Sequence, residues 1–267
     1  MRPGPSFAVV LRQYYLMRGS VARLVPLFAW VTIDVVLWGF LTRYLSHITV
    51  PGFSAVRMLL GAVLMWDFFT RVMQGVTTTF FEDVWSRNFL NLFAAPITIG
   101  EYLGGLVIST ILMSSIGLVV MLVLASLAFG FSFLALGAAI VPFMLVLFLF
   151  GIALGMIACA VVLRLGPSSE WFVWPIPMLL SPLVGVFYPL ATLPPWLRAI
   201  GYALPPSYVF ENMRAVVAGT GASLSGLAIG FALAASDLLL AGWIFARTHR
   251  HALQSGLIAR YSAETVT

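Results

Sequence analysis

Asp67 and Arg71 stand four residues apart, acid first, inside the apolar run Val56–Val76. That order suits a helical ion pair, and ionisable groups inside apolar spans are costly enough to count as functional candidates. Asp34 lies in a second apolar run and is a further partner for the same arginine; Asp237 lies in a third with no basic neighbour beside it. The Asp67–Arg71 pair reads first as structural, with gating or headgroup passage as the alternative. For Asp237, contact with another helix and a place on a dimer seam both stay open. Conventional catalytic sets do not emerge. His47, His249 and His251 are scattered, Cys159 is the single cysteine, and no His, Cys and carboxylate grouping has metal-ligand spacing. The reading is no catalytic residue, no metal and no cofactor held by this chain.

A second group of polar residues sits in "TFFEDVWSRNFLNLFAAPITIGEYLGG", residues 79–105. Thr79 with Glu82, and Thr98 with Glu101, have capping-box spacing and predict two helix starts. Trp85, Phe89, Leu92 and Phe93 fall on one helical face, while Glu82, Asp83 and Arg87 fall elsewhere. The spacing predicts a short amphipathic helix over 79–95, lying along a membrane surface or docking a partner.

The third candidate is "GVFYPLATLPPWLRAIGYALPPSYVFENMRAVVAG", residues 185–219. Proline breaks a helix and frees backbone groups that hydrocarbon cannot satisfy. Pro194–Pro195 and Pro205–Pro206 can each open a short helix, so 194–219 is expected as two helices dipping into the outer side of a bilayer, with a plain outer loop as the alternative. Trp66, Phe68, Phe69, Phe187 and Tyr188 are candidates to line a central pathway.

These residues must be positioned by a membrane scaffold. Of the 267 residues 61% are hydrophobic and 9% charged, and the apolar runs are continuous rather than alternating. That excludes a water-soluble domain of this size and argues for helices rather than a barrel. Leu24–Leu41, Val56–Val76, two helices within the charge-free stretch Tyr102–Leu163 divided at "AFGFSF", Trp171–Leu193 and Leu224–Phe245 make six expected spans. With both termini cytoplasmic, nine arginines lie inside and four outside (Arg43, Arg57, Arg198, Arg214), in line with the positive-inside rule. Residues 1–23, basic and apolar together, are expected as an interfacial helix without a cleavable signal. The arginines punctuate apolar segments instead of clustering, which argues for lipid headgroups as partners and against nucleic acid. The whole of 1–267 reads as one transmembrane domain.

Taken in order, "FEDVWSRNFLNLFAAPITIGEYLGG" and the 185–219 segment resemble the permeases of ABC-2 type exporters. Glu82, Arg87 and "NLFAAPI" match the acidic–basic–proline element before the third span. Phe187–Pro189, Leu193–Leu197, Leu204–Tyr208, Arg214 and Gly219 match the element that follows the fifth. The resemblance implies an all-α integral membrane fold of six spans with a cytoplasmic coupling helix and re-entrant helices. It implies a permease that works as a dimer, expected as a homodimer in the cytoplasmic (inner) membrane, by alternating exposure of a cavity at the dimer interface. Two copies of a cytoplasmic ABC ATPase would bind ATP and Mg; a P-loop needs a lysine, and this sequence has none. On that resemblance Glu82, Asp83 and Arg87 are polar contacts to the ATPase, and Trp85 and Phe89 apolar anchors. The cargo would be amphiphilic or polymeric: a lipid, drug or polysaccharide. An ion-gradient carrier would want internal repeats, and none relates halves 1–133 and 134–267; a lipid-modifying membrane enzyme would want a polar catalytic cluster at the interface.

Overall fold

The computed structural model describes residues 3–48, 55–86, 95–130 and 137–255. Among them every regular element is helical: α1 Pro3–Arg18, α2 Val21–Ile48, α3 Ala55–Trp85, α4 Ile99–Phe129, α5 Ile140–Leu165, α6 Ile176–Leu180, α7 Pro195–Tyr202, α8 Pro205–Val217 and α9 Leu224–Gln254, with short 3₁₀ turns between some of them. Local chemistry sets several boundaries. Thr98 and Glu101 form the expected capping box, each side chain bonded to the other residue's backbone N–H, and start α4. Gly130, at φ +63°, ends it in the left-handed conformation that glycine adopts without penalty. The "AFGFSF" break therefore falls as read, with residues 131–136 outside the described set.

Among the described residues four helices are long and apolar enough to cross a membrane: Phe28–Leu45 within α2, Ile99–Phe129, Gly137–Leu165 and Leu224–Gln254. Two of the six expected spans differ. α3 is one unbroken helix of 31 residues, but Arg57, Asp67, Arg71, Glu82 and Asp83 make it far less apolar. Trp171–Leu193 is not one helix at all. Four prolines cut it into a 3₁₀ turn ending at Phe172, the five-residue α6, a run of turns and a 3₁₀ turn at Leu190–Thr192.

α3 is the central element, packing on α2, α4, α5 and α8, while α9 covers the other side of α5. Close approach of α3 and α5 depends on Gly151 and Gly155. A Cβ on Gly151 would lie 2.9 Å from Val72 Cγ1, and one on Gly155 would lie 2.8 Å from Val76 Cβ. This is the small-xxx-small pattern that lets helix backbones meet without a hydrophobic driving force from lipid. α1 lies across the start of α4, where Gly105 admits Val9 and Ser6 Oγ donates to the Glu101 carbonyl at 2.9 Å. Its other face shows Phe7, Leu11, Tyr14 and Tyr15 outward, at i, i+4, i+7 and i+8.

Candidate functional site

The last turns of α3 hold the first cluster. The helix runs through residue 79 without a break, so the expected helix start there is overturned. Thr79 Oγ1 instead donates back to the Gly75 carbonyl at 2.8 Å, inside the helix. Residues 79–85 are the end of α3, and Arg87 and Phe89 lie outside the described residues.

Asp83 also departs from its expected role as a partner contact. Its side chain is fully buried and ion-paired to Arg12 of α1. Its second oxygen accepts from the Tyr102 hydroxyl of α4 at 2.8 Å. Burial works against the Arg12 charge, but the hydrogen bond and charge of Asp83, with Tyr102 and Glu82 nearby, hold its pKa above the ordinary value. A carboxylate so enclosed pins three helices together and has no surface left for another protein. Trp85, by contrast, is exposed, and its Nε1 donates to Glu170 Oε2 at 2.9 Å. The end of α3 is thereby tied to the 3₁₀ turn Pro167–Phe172, which opens the broken segment. Glu82, three residues earlier on the same helix, is partly buried and lines a cavity beside α1 and α4.

Halfway along α3 the intramembrane charges meet as the spacing predicts. Arg71 Nε donates to Asp67 Oδ2 at 2.7 Å and its Nη2 to Asp67 Oδ1 at 3.2 Å. The same nitrogen reaches Asp34 of α2 at 3.4 Å. One cation thus serves two carboxylates and joins α2 to α3. Asp237 is partly buried on α9 and makes no ion pair among the described residues.

The proline-rich segment forms the third cluster, and its freed backbone groups have partners. Pro194 and Pro195 open α7, and Pro205 and Pro206 open α8, as expected from proline's fixed φ. Arg198 Nη2 donates to the Ala191 and Leu193 carbonyls at 2.8 and 3.0 Å. Arg214 Nη2 donates to the Gly185 carbonyl at 2.5 Å and to Glu211 Oε1 at 3.1 Å. That same Glu211 oxygen accepts from the Leu190 N–H at 2.8 Å. Arg214 and Glu211 of α8 therefore clamp residues 185–190 from both polarities. Gly185 sits at φ +78°, and a Cβ there would meet Arg214 Nη2 at 2.7 Å, so the clamp needs glycine on both counts.

The expected pathway aromatics divide. Trp66, Phe68 and Phe69 are buried, which corrects their assignment to an open route. Phe69 stacks on Phe150 of α5 with centroids 5.5 Å apart, and Trp66 packs on Phe69 and on Phe210 of α8 at 4.4 and 6.1 Å. They are buried because α3 is covered by neighbouring helices on more than one side, α5 and α8 among them. Phe187 and Tyr188 lie nearer the surface. Phe187 stacks on Trp38 of α2 at 5.8 Å, and Tyr188 donates to the Pro182 carbonyl at 2.9 Å. Sequence reasoning missed Arg12, Tyr102 and Glu170. Arg12 and Glu170 were two of few charges outside the spans, but nothing in their local spacing named a partner. The "GIALG" pattern at 151–155 was legible and would have flagged the α3–α5 seam.

No curated protein matches the chain. A family model described as ABC-2 type transporter matches residues 17–218, a stretch running from the end of α1 through α8, and so covering Asp83 and Tyr102 (though not Arg12), the Arg71 pair and the clamped proline segment. The chain is therefore a membrane-embedded transport protein and belongs to the ABC-2 type transporter family.

Proposed function

We propose that this chain is the permease subunit of an ATP-driven exporter of an amphiphilic or polymeric cargo, paired with a second, identical permease and driven by two copies of a separate cytoplasmic ABC ATPase that binds ATP and Mg. Beyond family membership, the observation that carries the reading is the end of α3. Trp85 is exposed there, bonded to Glu170, and at the foot of the one helix that packs on α2, α4, α5 and α8. A protein pressing on this end loads most of the bundle and, through Glu170, the broken segment. On this reading Glu82, Trp85, Arg87 and Phe89 are the docking surface, and Asp83 holds it in place from beneath.

The outward Phe7, Leu11, Tyr14 and Tyr15 of α1 support an interfacial helix on the cytoplasmic leaflet. α3 then spans the inner membrane as a charged helix shielded by its neighbours, and α7 and α8 dip back from the outer side. Both termini are cytoplasmic. The docking reading is tested by co-expressing the permease with its ATPase and changing Glu82 and Arg87 to alanine. Loss of co-purification and of permease-stimulated ATP hydrolysis is expected. Retention of both by the double variant refutes the docking surface.

A further inference from the structure

α1, α2, α3 and α4 do not pack solidly along their common seam. They border a half-open cavity of about 260 Å³, far above the ~10–15 Å³ that one water needs. Arg71, Gln74, Thr78 and Glu82 line it from α3, a spacing of three and four that keeps them on one helix face for about 16 Å. Ser109, Thr110 and Ser114 of α4 stand opposite, with Gln13 of α1 and Trp30 of α2 on the flanks.

The polar groups of this lining are not used up. Gln13, Ser109 and Thr110 are only 6, 4 and 2% exposed. Yet Gln13 Nε2, Ser109 Oγ and Thr110 Oγ1 have no hydrogen-bond partner among the described residues. Burying such a group unpaired is destabilising, and native proteins pair nearly all of them. A helical hydroxyl can turn back to the carbonyl four residues earlier, as Thr77 and Thr79 do on α3. Ser109 and Thr110 do not, and of the eight described residues with such an orphaned atom these two and Gln13 meet at one cavity.

Charge narrows the ligand. Arg71 is already engaged by Asp67 and Asp34, so an anionic group would meet a neutralised arginine at one end and Glu82 at the other. What the walls offer is a set of neutral amides and hydroxyls, which donate and accept, beside an indole. Trp30 also begins an exposed apolar stripe, continued by Ile33, Leu37 and Leu41 of α2. We propose that the cavity binds the neutral, hydroxyl-rich headgroup of an amphiphile, with its tails leaving along that stripe. Glycosylated glycerides have this chemistry. The site stands independently of how the protein is powered.

The test uses the full-length chain in a detergent without a sugar headgroup, so that the detergent does not compete. Thermal unfolding is followed with monoglucosyl diacylglycerol, and with phosphatidylglycerol and plain diacylglycerol as comparison lipids. A concentration-dependent rise in Tm with the glucosyl lipid alone is expected. Thr110→Val and Ser109→Ala each remove an orphaned hydroxyl, so without lipid both are expected to be at least as stable as the parent. In both, affinity for the glucosyl lipid is expected to fall about tenfold. If one variant fails to fold, the other carries the comparison. An equal rise with phosphatidylglycerol, a rise that persists in the variants, or no rise with the glucosyl lipid overturns the proposal.

Discussion

Replacing Asp83 by alanine removes the anion that joins α1, α3 and α4, and its effect can be worked from the contacts. Asp83 is fully buried, whereas the Arg12 side chain is 29% exposed. Breaking a buried pair by deleting one partner costs about 3–5 kcal/mol. The Arg12 side chain is partly exposed and can swing its stranded charge toward water, which places this case at about 3 kcal/mol, near the lower end of that range. If the loss falls on the docking of α1, the amide protons of Pro3–Arg18 become easier to expose by that amount. At 1.4 kcal/mol per factor of ten, their exchange in the closed protein speeds up roughly 100-fold. Tyr102→Phe leaves the ion pair and removes one hydrogen bond to a charge, about 1.5–3 kcal/mol, so a smaller acceleration of the same amides is expected. Hydrogen exchange read by mass spectrometry on purified protein resolves α1 from the rest. Unchanged α1 protection in Asp83→Ala, together with loss of ATPase binding, would refute the staple and return Asp83 to the partner surface.

Gly155→Val puts side-chain carbon where Val76 and the Met73 carbonyl already lie, with its Cβ 2.8 Å from Val76 Cβ; α3 and α5 must separate, and a loss of about 1–3 kcal/mol in unfolding measurements is expected. Gly185→Ala strains a backbone at φ +78° and pushes on Arg214, so a lower Tm is expected together with faster proteolysis between residues 185 and 193. Arg71→Ala leaves Asp67 and Asp34 facing each other without their cation, and a destabilisation of about 3 kcal/mol is expected. Adding Asp67→Asn to that variant should recover a measurable part of the lost Tm, and failure to do so would show that the charge balance is not what matters there.

Legibility in the sequence followed the range of the interaction. Thr98 and Glu101, Asp67 and Arg71, and the two diproline helix starts are contacts or caps within one turn, and spacing alone exposes them. Arg12 and Asp83 are 71 residues apart, and Trp85 and Glu170 are 85 apart. No periodicity reports such pairs; only the packing of α1 over α4, and of the α5 exit beside α3, brings them together. Thr79 misled for a related reason. Its spacing to Glu82 fits a helix start, but a hydroxyl inside a continuous helix satisfies itself just as well on the preceding turn. The aromatics misled because burial against α5 and exposure to a pathway call for the same residue types. Trp171–Leu193 misled because its apolar content reads as a span; its prolines fragment it instead, and the arginines that make the fragments tolerable sit on α7 and α8.

The length of α3 has a mechanical side. Thirty-one residues at 1.5 Å each make a rod of about 46 Å, longer than the ~30 Å hydrocarbon layer. Among the described residues the rod has no proline and keeps helical geometry from Ala55 to Trp85. A stiff member of that kind cannot absorb a displacement in its middle. A tilt imposed at Trp85 must emerge as an opposite swing at Ala55, with the Arg71 level as the natural fulcrum, because there its charge is fastened to α2. Motion at the two faces of the bundle is therefore geared through a single lever.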